Sequence, residues 1–325
     1  MFRRVAVALL ATCLALPAAA QTRWVMATAY PDTNFHTRNV RQFVEEVQQG
    51  SGGKLVIQLH TNASLLPMPQ IKRGVQTGQV QLGEILLSVF GNEDPFFEVD
   101  SVPFLAEDWA ASAALMTASV PAIRTRLQRQ GLEPLYFVNW PSQGFYTRQP
   151  LNGVADLRGL KLRTYNVITV RMAELMGAVP VTVQVAEVAQ AFATNIIGAM
   201  FTSAQTGVDT SAWDYANVFT DVGGMRARNV VLVNARAMAG LDAETRTVMR
   251  DAAARAAERG LVAAQAAERA AAERLAEKGL TVAAPSDAFM AELRAVGAKQ
   301  VEDWVAKAGP EGRKMLEDYR AALAR

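Results

Sequence analysis

The sequence predicts an α/β protein of two lobes with a cleft between them, and three observations carry that prediction. Residues 151–203 alternate short apolar runs with helical patterns, the order that builds a parallel sheet. One of those runs, residues 196–202, is apolar almost without a break, as a strand covered on both faces requires. Residues 242–278 form an uninterrupted alanine-rich helical pattern, about 55 Å long at 1.5 Å per residue, too long for one small lobe.

From the start of the chain, Arg3 and Arg4, an apolar run over residues 5–16 and Ala18-Ala19-Ala20 read as a cleavable export signal over residues 1–20. The apolar run is shorter than the roughly 20 residues a membrane span needs. The single cysteine, Cys13, lies inside it, so the remaining chain is expected to hold no disulfide. Without Arg3 and Arg4 the 31 remaining cations match the 31 acids, a balance that offers no basic footprint for nucleic acid. About three hundred residues, half of the chain hydrophobic, suit two lobes better than one.

Residues 24–29 are predicted as the first strand. The loop from Tyr30 through Asn34, Phe35 and His36 then enters a helix running to about residue 49, whose amino end would face the cleft. Strand 54–60, helix 69–77 and strand 80–89 follow, the last ending at Phe90. A helix over residues 108–130 is expected to break near Pro121. After strand 132–139, Trp140 to Gln143 is the first crossing between lobes, and the return is expected near residues 228–234. Lobe I then comprises 21–140 with about 235–268 and 297–325, and lobe II 141–234 with about 269–296. Helices over 286–305 and 310–323 close the chain.

Within the central stretch, residues 160–164 form a strand with Arg163 near its carboxyl end. A helix over 167–176 stops at Gly177, and strands over 179–183 and 196–202 flank a helix over 186–193. Ligands of open α/β sheets bind beyond the carboxyl ends of the strands. Arg163 and the pair Thr202 and Ser203 should therefore share one crevice, where a permanent cation beside hydroxyls suits a small carboxylate.

The run Asp156-Leu-Arg-Gly-Leu-Lys-Leu-Arg163, then Leu175-Met-Gly-Ala-Val-Pro180, Glu187 and Ala191-Phe-Ala-Thr194 resembles the central signature of solute-binding proteins of tripartite ATP-independent periplasmic (TRAP) transporters. The likeness extends to Phe43-Val-Glu-Glu-Val, Gly52-Gly-Lys-Leu, Val102-Pro-Phe-Leu and the long helix. It implies the two-lobed periplasmic-binding-protein fold with that helix lying across both lobes. It also implies a periplasmic receptor, not an enzyme, that delivers a small organic anion to small and large membrane permease subunits, with Arg163 pairing the ligand carboxylate. Gln143 stands where many sialate-binding relatives carry a second arginine, and Asn195, Gly198 and Ala199 depart from the usual glycine and Asp-Gly.

Phe35, Phe90, Trp140 and Tyr165 lie at predicted cleft edges, positions that serve equally well as core. One charge at Arg163, a neutral partner at Gln143 and these aromatics favour an aromatic or branched 2-oxo or 2-hydroxy monocarboxylate, such as mandelate or benzoylformate, over sialate and C4-dicarboxylates. The competing readings are an exported enzyme or a ligand-sensing protein using the same cleft. His36 and His60 lack metal-ligand spacing, and no dinucleotide, phosphate-loop or nucleophile-elbow motif occurs, so no metal or cofactor is expected. Glu84 and Glu187 are the acids worth locating, and the receptor is expected to be a monomer.

Overall fold

The computed structural model describes residues 21–324; the export signal predicted over residues 1–20 lies outside them. The chain opens with β1 (Thr22–Ala27), α1 (Phe35–Gly50), β2 (Leu55–His60), α2 (Met68–Thr77) and β3 (Leu82–Leu86). β3 is shorter than the apolar run suggested, because the chain tightens into a 3-10 turn over Leu87–Phe90. α3 (Trp109–Arg129) then leads to β4 (Leu132–Asn139). The break expected near Pro121 is absent: Pro121 sits inside a continuous α3. The missing N–H removes one backbone bond, a loss that the packing of Leu115, Ile123 and Leu127 into the core outweighs.

β5 (Gln143–Thr147), β6 (Lys161–Thr164), α4 (Val167–Leu175), β7 (Val179–Thr182), α5 (Val188–Ala193), β8 (Ala199–Ser203), α6 (Ala204–Asp209) and β9 (Val218–Thr220) form most of a second unit. β10 (Arg228–Asn234), α7 (Ala235–Ala239), α8 (Ala243–Glu277), β11 (Thr281–Ala283) and α9 (Asp287–Leu323) complete the fold.

Two sheets result. The first has the order β2-β1-β3-β10-β4, with β1 parallel to β2 and β3 and β10 antiparallel to β3 and β4. The second has the order β11-β9-β5-β8-β6-β7, with β8, β6 and β7 parallel and β5 antiparallel to both of its neighbours. One core surrounds the first sheet, and two smaller cores cover the two faces of the second. All five residues of β8 are buried, which is why that run is continuously apolar.

The return crossing falls at residues 221–227, not at 228–234, because β10 is an interior strand of the first sheet. Its apolar run would fill an interior position in either sheet, so composition alone could not place it. The two crossings run side by side. Trp140 N donates to Ala227 O at 2.7 Å, Asn139 Nδ2 to Arg226 O at 3.0 Å, and Gly224 N to Gln143 O at 3.0 Å.

α8 begins where Asp242 accepts a bond from Thr245 N at 2.9 Å, and its 35 residues pack on both units. Its buried face is mostly alanine, with Ala252 to Ala267 in the first core and Ala271 and Leu275 in the second. Small residues let it approach closely: a Cβ at Gly260 would lie 2.4 Å from Val138 Cγ2. α9 likewise spans the units, from Phe289 in the third core to Trp304 and Tyr319 in the first, and is broken at Gly309, where φ is 66°.

Candidate functional site

Between the two sheets lies a cavity whose lining includes Trp140, Gln143, Arg163, Tyr165, Thr202 and Ser203. Each sits at or just beyond a strand end, the place where neighbouring strands converge and the backbone leaves room for a ligand. The cleft leaves about 50 Å³ open to the centre of a water-sized sphere. A single water needs roughly 10–15 Å³ on that measure, so the space suits a compact molecule.

Arg163 is the third residue of β6, paired with Val181 of β7 on one side and Met200 of β8 on the other. Its Nε donates to Val183 O at 2.9 Å, and its guanidinium carbon lies 4.7 Å from the centre of the Tyr165 ring. The residue is 4% exposed, and burial lowers its pKa to about 10, still well above neutrality. It therefore stays charged. Among the described residues no carboxylate forms an ion pair with it, an expensive arrangement for a buried cation unless a ligand supplies the anion.

Gln143 begins β5 and pairs with Ser203 of β8. The Tyr165 hydroxyl donates to Gln143 Oε1 at 2.6 Å, which turns the amide NH2 towards other partners. Burial raises the Tyr165 pKa, so the phenol keeps its proton. Ser203 has a structural duty as well: its Oγ caps α6 by accepting from Thr206 N at 3.2 Å. Trp140 donates through Nε1 to Asn229 Oδ1 at 2.8 Å.

Three residues expected at the cleft lie outside the cavity lining. Asn34 caps α1 by accepting from His36 N at 2.8 Å, and its Nδ2 reaches Asp209 Oδ2 at 2.6 Å. Phe35 packs edge-on against Trp140, with centroids 5.6 Å apart, and backs the wall instead of forming it. Phe90 is turned by the 3-10 segment towards the buried ammonium of Lys72, 5.3 Å from its ring centre. Leu86 and Val89 take the place expected for it.

The sequence reading missed Tyr30, Met68, Gln184 and Val185, which also line the cavity. Tyr30 follows β1 and Gln184 follows β7, so the strand-end rule that found Arg163 would have found both. Behind Trp140, Glu84 accepts from Thr28 Oγ1 at 2.6 Å and lies 3.4 Å from His36 Nδ1. Burial pushes the Glu84 carboxyl up to about 7 and the His36 imidazole down. Glu187 is exposed and accepts from Gln184 N at 3.4 Å, opening its helical turn. Among the described residues no group of three or more His, Cys, Asp or Glu side chains is placed to hold a metal ion. No helix of those residues is long and apolar enough to cross a membrane.

The profile of bacterial extracellular solute-binding protein, family 7, matches residues 26–308. The chain belongs to this family. Its fold is also that of a Bordetella pertussis extracytoplasmic solute receptor, DctP7, described as binding pyroglutamic acid. The two share 45% identity and a TM-score of 0.91, over 92% of this chain and 99% of that one. A marine metagenome TRAP solute-binding protein specific for pyroglutamate, solved with the compound bound, shares 34% identity at a TM-score of 0.91, over 93% and 99% of the two chains. Among curated relatives, the 2,3-diketo-L-gulonate-binding periplasmic protein of Escherichia coli K12 is 27% identical over 162 residues, 49% of each chain. The chain thus spans about half the length of the curated relatives it matches. The two-lobed α/β architecture expected from the motifs is the architecture of the family 7 chain.

Proposed function

We propose that this family 7 chain is the periplasmic receptor of a TRAP transporter. In this reading it closes around a compact monocarboxylate, pyroglutamate first, and hands it to the small and large membrane permease subunits. The observation that carries the reading is the Arg163 guanidinium, buried in the inter-lobe cavity and paired with no carboxylate among the described residues. A ligand carboxylate would replace the lost hydration with two parallel charge-assisted hydrogen bonds. One cation argues for one carboxylate, and the Gln143 amide beside it suits a neutral carbonyl such as that of a lactam.

The aromatic 2-oxo and 2-hydroxy acids favoured by the sequence share that carboxylate and a neighbouring oxygen. Pyroglutamate is also what the Bordetella and metagenome receptors bind. A binding role is supported by the family and by the solute receptors the chain resembles.

A thermal-shift panel tests this proposal with pyroglutamate, mandelate, benzoylformate, succinate and glucuronate. Ligand at about 100 times its dissociation constant stabilises by about 2.7 kcal/mol, a rise of roughly 5 °C in a chain of this size. Pyroglutamate is expected to give the largest rise. A shift with succinate or glucuronate and none with pyroglutamate overturns the ligand, and a silent panel overturns the carboxylate receptor.

A further inference from the structure

Asn229 is the second residue of β10, beside Leu86 of β3 and Val138 of β4, and it is 1% exposed. It does not line the cavity. Its Oδ1 accepts from Trp140 Nε1 at 2.8 Å and from the Tyr30 hydroxyl at 3.1 Å, both of which belong to cavity-lining residues. An indole nitrogen can only donate, so the atom facing Trp140 must be the amide oxygen. The same oxygen accepts the Tyr30 hydrogen bond, and the Tyr30 and Trp140 rings meet edge to face with centroids 5.0 Å apart. Asn229 Nδ2 is buried, makes no hydrogen bond of standard geometry among the described residues, and is near enough to Glu84 to draw that carboxyl's raised pKa partly back down. Such a group lowers stability, so a position that served packing alone would be filled better by an aliphatic side chain.

The consequence is a cavity divided by polarity. On one side stand Arg163, Gln143 and Thr202. On the other, Tyr30 and Trp140 have spent their donors on Asn229 and offer ring carbon, continuous with Met68, Leu86 and Val89. We infer that Asn229 is a specificity-determining positioning residue, which keeps the Tyr30–Trp140 wall apolar and so selects carboxylates whose far edge is hydrocarbon over polyhydroxylated sugar acids. This rests on the carboxylate-receptor reading and adds to it the rule by which one acid is chosen over another. A hydroxyl pressed against this wall would lose its water and find no partner, a cost of about 1–3 kcal/mol, or roughly five- to a hundredfold in affinity.

Titration calorimetry with pyroglutamate and glucuronate, on wild type and three variants, tests the inference. Asn229→Leu removes the shared acceptor and releases both donors. Pyroglutamate affinity should fall at least tenfold, and its preference over glucuronate should fall with it. Asn229→Asp keeps an oxygen in place and should hold that preference within about threefold. Tyr30→Phe removes one donor and keeps the ring, so the preference for pyroglutamate over glucuronate should hold within about threefold.

A preference that moves tenfold or more in Tyr30→Phe, or one that is unchanged in a folded Asn229→Leu, overturns the inference. If Asn229→Leu does not fold, Tyr30→Phe and Asn229→Asp still decide it. If wild type binds neither acid, the receptor reading fails separately. The indole N–H resonance of Trp140, protected from exchange in wild type and Asn229→Asp and exposed in Asn229→Leu, then reports whether Asn229 holds the wall. Loss of that contrast overturns the positioning role.

Discussion

At the scale of single residues, the chemistry concentrates on Arg163. Burial that lowers its pKa to about 10 is a cost that a ligand carboxylate relieves. Arg163→Ala is therefore expected to leave the ligand-free protein no less stable while weakening pyroglutamate at least tenfold, since hydrogen bonds to charged groups contribute about 1.5–3 kcal/mol. Arg163→Lys should recover little, because a point charge cannot reproduce the guanidinium fork. Calorimetry beside a melting curve separates the two effects, and wild-type affinity in Arg163→Ala would remove the anchor from the site.

Glu84 belongs to the strand β3, and its behaviour is a property of that element's buried face. Its carboxyl is pushed from 4.5 to about 7 by burial, so its proton stabilises the fold fully below about pH 4.5. That contribution is lost as pH rises through 7, to a total on the order of 3 kcal/mol. His36 acts in the opposite sense, its lowered pKa destabilising the fold as the solution turns acidic. Comparing Glu84→Gln with wild type isolates the carboxyl. The variant should match wild type near pH 4.5 and melt several degrees higher at pH 8, and parallel stability curves across that range would refute the assignment.

For the whole molecule, the paired crossings at residues 140–142 and 221–227 offer a hinge, and among the described residues hydrogen bonds join the lobes across the cleft. Asn34 of the first reaches Asp209 of the second at 2.6 Å, and Asn166 of the second reaches Ser88 of the first at 2.8 Å. A hinge with such latches predicts closure on binding. Small-angle scattering should show a smaller radius of gyration with saturating pyroglutamate than without. Asp209→Ala combined with Ser88→Ala, neither of which lines the cavity, should weaken binding by about tenfold or more, with each lost bond worth about 1 kcal/mol. Identical scattering in both states, or unchanged affinity in the double variant, would leave the lobes without this motion.

What the sequence determined by itself is whatever local chemistry encodes. Strand and helix alternation over residues 151–203, the cap at Asp242, the break before Pro310 and the position of Arg163 at a strand end all follow from periodicity, capping and turn residues within a few positions of each other. Tertiary structure decided what depends on partners distant in sequence. β10 reads as a buried strand wherever it is placed, and only pairing with β3 and β4 puts it in the first lobe. Phe35 and Phe90 are as apolar as Trp140. A helix start and a 3-10 turn set their direction, and packing against Trp140 and Lys72 keeps them behind the wall. Asn229 is one polar residue in an apolar run, and it gains a role only when Tyr30 and Trp140, 199 and 89 positions away, meet at its oxygen.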